Sequence, residues 1–294
     1  MRCCLAATVA IFFPALARAL PTAQSAEGVQ PITLTYAPEW LRQLDTFVDR
    51  MPATVERSLP ELRPHGYYQI WLRPRLNHDF FRLPFGGEYK INNHVEISGE
   101  LQNYLATGLS DATGYGFSGA DINFKYEQQI RPSVGLSAGL NFHTPLSRPP
   151  LQLTDGYRHT QPYVATTFPL APRWKLIGYA AFSLDMLNHT ALPSNFGANE
   201  LHANSMGLSV GAGRDWKHFH TSLTASLSSS VLMSDEGRQV FALRPEMVVP
   251  FRVRPKSGVI IFWTLGTYAV WGPDGRQLGA GSSVRVEFRN RAHR

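Results

Sequence analysis

The region from Tyr67 to Arg289 alternates between apolar and polar residues in one segment after another. In Ser133–His143, every second residue from Val134 to Phe142 is apolar, and the residues between them are small or polar. A period of two is typical of a β-strand with two unlike faces. The pattern fits either a soluble sandwich with its apolar face inside or a membrane barrel with its apolar face outside.

Twelve such segments can be delimited by turn residues. Their length of about 10 residues or more suits a tilted crossing of a bilayer, whereas strands of globular proteins average about 5–6 residues. Short turns alternate with longer loops between them, which is typical of outer-membrane barrels. We therefore predict an all-β fold, an antiparallel transmembrane β-barrel of about 12 strands, with ten strands as the alternative assignment. The predicted strands are Tyr67–Leu76, Phe80–Ile91, His94–Leu105, Gly114–Gln128, Ser133–Thr144, Arg158–Pro169, Arg173–Leu187, Ala203–Asp215, Phe219–Met233, Gln239–Phe251, Gly258–Trp271 and Leu278–Arg289.

The polar faces of these segments are rich in Ser, Thr and Gly, as in Ala203–Asp215. Charged residues of both signs fall in register with these faces, which predicts a network of ion pairs in a barrel lumen. Arg or Lys facing lipid at mid-depth would cost about 2–4 kcal/mol, so this register favours a lumen over a lipid face. The alternative is the solvated surface of a soluble sandwich. The predicted lumen-lining residues are Arg73, Arg75, Arg82, Glu88, Lys90, Glu96, Glu100, Asp121, Lys125, Glu127, Lys175, Asp185, Arg244, Glu246, Arg285 and Glu287.

Composition supports the membrane barrel. Charged residues make up 17% of the chain, below the roughly 25% of soluble proteins. Aromatic residues, Trp71, Trp174 and Trp271 among them, cluster near the ends of predicted strands, which fits either interface girdles or ordinary packing. The net charge of +6 is spread along the chain, which argues against nucleic acid as a partner.

The N-terminus is predicted to be a signal peptide over residues 1–26. Arg2 precedes the apolar run Leu5–Leu16, and Ala15–Ala19 offers a cleavage site, with Ala26 as a later one. This run is too short for a spanning helix, which needs about 20 residues. The two cysteines of the chain, at positions 3 and 4, fall inside this signal, so the exported chain is predicted to have no disulfide.

The segment Ala37–Leu59 has apolar residues at helical spacing, which predicts an amphipathic helix that is kinked at Pro52. It could pack on a domain face, lie at a membrane interface or enter the barrel as a plug. The predicted organisation is thus a signal over 1–26, a periplasmic or interfacial helical segment over 27–66 and a barrel over 67–294.

On the pattern of residues 67–289, the chain resembles the outer-membrane β-barrel proteins of Gram-negative bacteria, of porin or transporter type. Leu278–Phe288 is similar to the C-terminal signal that the barrel-assembly machinery reads, although six residues follow it. Arg82–Leu101 looks like the early hairpin of small transporter-like barrels. The resemblance implies export to the outer membrane, with outer-membrane lipid and the barrel-assembly machinery as partners.

The function predicted from these features is a channel or transporter for small solutes, with lumen charges setting its selectivity. The first alternative is a non-conducting structural or adhesive barrel. A lipid-modifying enzyme is disfavoured, because His143 lies in the polar register and Ser147 lies beyond a proline, unlike the outward His and Ser of outer-membrane phospholipases. His218 and His220 favour a polar lining over a metal site. We therefore predict no catalytic residue, metal or cofactor, and leave the oligomeric state open.

Overall fold

The computed structural model describes nine stretches of the chain, all of them in the second of two compact units, Met1–Tyr36 and Ala37–Arg294. The predicted signal peptide and most of the predicted Ala37–Leu59 helix lie outside the described residues. The described stretches are 54–76, 80–106, 114–131, 133–146, 157–188, 205–230, 239–252, 259–272 and 275–289.

Within the described stretches, fourteen β-segments follow one short helical turn at residues 54–58. They are β1 (Tyr68–Leu72), β2 (Arg75–Leu76), β3 (Phe80–Arg82), β4 (Phe85–Lys90), β5 (Val95–Ala106), β6 (Gly114–Arg131), β7 (Val134–Pro145), β8 (Tyr157–Ala171), β9 (Trp174–Leu187), β10 (Ser205–Asp215), β11 (His220–Ser230), β12 (Gln239–Arg252), β13 (Val259–Gly272) and β14 (Gly275–Arg289). In the described stretches, no helix has both the length and the apolar character needed to cross a membrane.

The first four segments are two long strands, each interrupted at a proline. The register of β1 with β4 continues without a shift into that of β2 with β3, where Arg75 pairs with Arg82. Pro74 and Pro84 lie in the gap, and a proline has no backbone N–H to donate to the ladder. The Arg73 N–H still donates to the Pro84 carbonyl at 2.9 Å. The predicted strands Tyr67–Leu76 and Phe80–Ile91 are therefore each one strand with a break.

The sheet closes on itself as a barrel of twelve strands. Each strand pairs antiparallel with its neighbours, β1 pairs with β14, and β5 pairs with β6, which completes the ring. The predicted all-β antiparallel barrel is thus confirmed, and the ten-strand alternative is wrong. Closure leaves no long unpaired edge.

The two faces of the wall differ sharply in burial. In β6, Ile122, Phe124 and Tyr126 are 45–50% exposed. The residues between them, Asn123, Lys125 and Glu127, are at most 3% exposed. The apolar face is therefore the outer one, and the polar face is the inner one. Ser133–His143 follows the same rule, with Phe142 outside and Ser137 inside.

The connections divide between the two ends of the barrel. We call the end with the β4–β5, β6–β7, β8–β9, β10–β11 and β12–β13 connections the turn end, and the opposite end the loop end. β1 begins and β14 ends at the turn end, as expected for an even number of strands. The connection between the predicted strands Gly258–Trp271 and Leu278–Arg289 is shorter than those strands predict, because β13 and β14 stay paired up to Gly272 and Gly275.

Candidate functional site in the barrel interior

Residues 54–66, called here the inner segment, run from the barrel interior, where residues 55–60 contact the wall, to the start of β1 at the turn end. Val55 packs against Tyr163 of β8 and Tyr179 of β9. The next residue, Glu56, forms ion pairs with Arg73, after β1, at 3.8 Å and with Arg285 of β14. In the ring order, β8 and β14 are on opposite sides, so a segment that contacts both must cross the interior. Residues 54–59, the described end of the predicted Ala37–Leu59 helix, thus contact the inner face of the barrel.

Side chains of the wall bind the carbonyl groups at the C-terminal end of the helical turn. The Lys125 ammonium donates to the carbonyls of Arg57 and Leu59 at 3.2 and 3.1 Å. The Ser137 hydroxyl donates to the Ser58 carbonyl. These carbonyls lack partners within the helix and carry its negative dipole end, so a buried cation is well placed to cap them. The wall therefore holds the backbone of the inner segment.

A buried cluster of alternating charges lies beside this contact, towards the turn end. Lys125 pairs with Glu96 at 2.8 Å and lies 3.7 Å from Glu127, and Glu127 also pairs with Lys90. The Glu61 N–H donates to Glu127 at 3.1 Å. These four charged residues are each 3% exposed or less. Buried charges of this kind persist only when they are paired and hydrogen-bonded.

Arg63 ties the end of the inner segment to β1 and β4. Its guanidinium donates to Glu88 at 2.8 Å and to Gln69 at 2.9 Å. The same group lies over the Tyr67 ring, 4.2 Å from its centroid. Gly66 then donates to the Lys90 carbonyl at 3.0 Å, and the chain turns into β1.

Trp71 lies on the inner face, not in an outer girdle. It is 1% exposed, and its indole N–H donates to Glu100 at 2.7 Å. A Cβ at Gly86 would lie 2.8 Å from the Trp71 ring, so this position requires glycine for the close approach. Trp174 and Trp271, by contrast, are each 36% exposed, as a girdle requires.

A second group of charged side chains is accessible to solvent. Glu56 is 47% exposed although it lies between the walls, and Arg285 is 21% exposed. Arg244 and Glu246 of β12 lie 3.6 Å apart and are 19% and 27% exposed. We call these four residues the accessible charges. Their Ser and Thr neighbours in β11, Ser222 to Ser228, are half-buried, unlike the inner residues of β6 and β7.

The Glu56 carboxyl remains ionised at neutral pH. Burial raises its pKa, but the positive charges of Arg285, Arg73 and Arg57, with a hydrogen bond from Arg285, outweigh burial and lower the pKa from 4.5 to about 2.

Two histidine–carboxylate pairs face each other near the loop end. His143 bonds Asp121 at 2.8 Å, His159 bonds Asp185 at 2.7 Å, and the two imidazole centroids are 5.6 Å apart. Ser183 approaches Nδ1 of His159 at 3.5 Å, the same nitrogen that binds Asp185. A catalytic triad needs the serine on the other ring nitrogen, so this group lacks that geometry. No three potential ligands in the described stretches are arranged to hold a metal ion.

The predicted lumen residues differ in their exposure to solvent. Among those with a described side chain, Lys175 is the exposed one: it is 62% exposed at the turn end, where it pairs with Asp215 at 3.6 Å. The Arg75 side chain lies outside the described part. The buried ones are Arg73, Lys90, Glu96, Glu100, Lys125, Glu127 and Glu287. The half-buried ones are Arg82, Glu88, Asp121, Asp185, Arg244, Glu246 and Arg285.

The sequence prediction missed the charged residues of the inner segment. Glu56, Arg57 and Arg63 contact the wall. Nothing in the local pattern distinguishes Glu56 and Arg57 from surface residues of an amphipathic helix, and Arg63 lies beyond the predicted helix. His143 was placed in the inward register, but its pairing across strands with Asp121 was not predicted. These contacts join residues far apart in the sequence, so only the closed barrel reveals them.

Comparison with known proteins bears on the fold alone. No protein-family model matches the chain, and no curated protein matches it. The COG4313 outer membrane channel from Pseudomonas putida F1 is similar, with a TM-score of 0.53 and 11% identity over 78% of this chain and 97% of that one. NanC porin aligns with a TM-score of 0.48 and 10% identity over 75% and 97% of the two chains. KdgM porin aligns with a TM-score of 0.47 and 7% identity over 76% and 99%. The alignment with the COG4313 channel shows that this chain shares its barrel fold.

Proposed function

We propose that this protein is a channel for small solutes in the outer membrane of a Gram-negative bacterium. The observation that carries the proposal is the reversal of polarity across a closed wall. Large apolar side chains such as Phe124 and Tyr126 are exposed outside, while Lys125 and Glu127 between them are buried inside. An apolar band outside suits a lipid environment, and a polar inner face suits an aqueous lumen. Outer-membrane lipid and the barrel-assembly machinery are the partners that this proposal requires.

The inner face is the proposed lumen, and the predicted lumen residues, apart from the solvent-exposed Lys175, are its charges. Several of the described ones pair with opposite charges, between β5 and β6, within β12 and within β14. Charges lining a narrow aqueous passage change the energy of passing ions and polar solutes, which gives the channel its selectivity. We propose no catalytic role for these residues.

A non-conducting structural or adhesive barrel is the second candidate. The observation that favours it is the inner segment, which joins opposite walls through Val55 and Glu56. In that case the ion pairs would stabilise a closed barrel, and no solute would cross.

Solute flux into liposomes separates the two candidates. The purified, refolded protein is reconstituted into liposomes, and swelling is followed after transfer into isotonic solutions of small sugars and amino acids. The channel proposal predicts swelling rates that fall as the solute becomes larger. Empty liposomes are the control. Swelling no faster than in the control for every solute would contradict the channel and favour the closed barrel.

A further inference from the structure

The inner segment divides the barrel interior into two unlike sides. On the side of β6 and β7, the segment covers the wall, because Ser58 is fully buried against Ser137 and Asn141 of β7. A Cβ at Gly135 would lie 2.8 Å from the Pro60 ring, so the segment and β7 are in close contact. Inner side chains on this side, Ser137 at 1% and Asn123 at 1%, have almost no contact with solvent.

Along β11 and β12 the inner face is less buried than along β6 and β7. The inner residues of β11 from Ser222 to Ser228 are half-buried, although they are as small and polar as those of β7. Thr224 pairs in register with Arg244, and Ser222 pairs with Glu246. Glu56 extends from the inner segment towards β14 and is itself 47% exposed. Water therefore reaches the inner face along β11 and β12.

We propose that the inner segment is a resident plug on the β6–β8 side, and that solutes pass along β11 and β12, where the accessible charges determine specificity. This proposal rests on the proposed channel function and names the residues that decide which solutes it admits. Glu56 and Glu246 contribute two negative charges, and Arg244 and Arg285 contribute two positive ones. A passage with balanced charges favours small polar solutes without net charge, neutral or zwitterionic, over ions of one sign. The buried cluster around Lys125 instead holds the plug.

Cysteine accessibility tests the position of the plug without requiring any conductance. Thr224→Cys and Ser137→Cys place a thiol on the inner face of β11 and of β7, in a background where Cys3 and Cys4 are replaced by Ser. Each variant is treated with a charged methanethiosulfonate reagent, and the mass shift is followed over time. We expect Ser137→Cys to react at least about tenfold more slowly, because the reagent must wait for the segment to open. Equal rates would overturn the plug, and so would faster reaction of Ser137→Cys.

Ion selectivity tests the role of the accessible charges. In planar bilayers with a salt gradient, Glu246→Gln is expected to shift the reversal potential towards anion selectivity, and Arg244→Gln towards cation selectivity. Lys217→Gln, an exposed residue between β10 and β11, is the charge-changing control and should cause no shift. Unchanged reversal potentials in both β12 variants would overturn the proposed specificity. A wild-type protein that carries no current would contradict the channel function itself, while the thiol rates would still decide whether the plug is present.

Discussion

Glu56 connects the inner segment to β14 through an ion pair with Arg285. Its neighbour Val55 is anchored in an apolar contact with Tyr163 and Tyr179, and Glu56 extends across to Arg285. The ion pair between Glu56 and Arg285 is only partly shielded from water, so this pair is weak by itself. The contacts of Glu56 with Arg285 and Arg73, together with the contact of Val55 with β8 and β9, fix the position of the segment relative to opposite walls.

Acid is expected to weaken this attachment. The pKa of Glu56 is lowered from 4.5 to about 2, so the contribution of the ionised carboxylate is complete above pH 4.5 and is lost as the pH falls towards 2. We expect the conductance in planar bilayers to stay constant from neutral pH down to about pH 4.5 and to rise below it, as the segment loosens. The groups facing Glu56 are Arg57 on the segment, Arg73 and Arg285, all of which stay charged over this range.

Glu56→Gln isolates the contribution of this carboxyl from the other acids of the interior. The variant should show the higher conductance already at neutral pH, and its further rise in acid should be smaller than that of the wild type. An acid-induced rise that is the same in Glu56→Gln and in the wild type would assign the effect to other carboxyl groups.

At the scale of elements, alternation predicted the strands well. All twelve predicted strands match observed ones within a few residues, because lipid outside and charge inside impose a period of two on each strand. The breaks at Pro74 and Pro84 were not predicted, since a missing N–H interrupts a strand only where the partner strand needs that donor, as Pro162 and Pro245 within continuous strands show. The contacts of the inner segment were not predicted either, because residues 57 and 125 meet only after the barrel has closed.

The contact between Lys125 and the carbonyls of the helical turn can be tested by substitution. Lys125→Met removes the cation that pairs with Glu96 and binds two carbonyls of the inner segment. Leaving a buried charge without its partner costs about 3–5 kcal/mol. We expect a clear fall in the temperature at which the folded form, recognised by its faster migration on gels, is lost.

Lys175→Met is the matched control for this substitution. It removes the same type of side chain from an exposed pair with Asp215, and such pairs contribute about 0–1 kcal/mol. The double variant Lys125→Met with Glu96→Gln should recover part of the lost stability, because the uncompensated carboxylate is neutralised. If Lys125→Met and Lys175→Met lowered the transition temperature equally, the buried cap would have no special role.

At the scale of the whole molecule, the fold follows from closure. Twelve strands close without a free edge, and their polar faces are forced into one interior. The sequence alone could not separate twelve strands from ten, because short turns and longer loops do not alternate regularly at the connections 77–79, 252–257 and 272–277. The sequence could not predict which part of the inner wall the segment covers. The inner residues of β7 and of β11 are both small and polar, and only the structure shows that the segment covers β7.

Single-channel recording measures whether the barrel conducts. The purified protein is inserted into planar bilayers, and its folded state is checked by heat-modifiable migration on gels. We expect discrete current steps of uniform size that increase with salt concentration, from a narrow passage beside a resident plug. A folded protein that inserts into the bilayer and gives no steps over a range of salts and voltages would contradict the channel function.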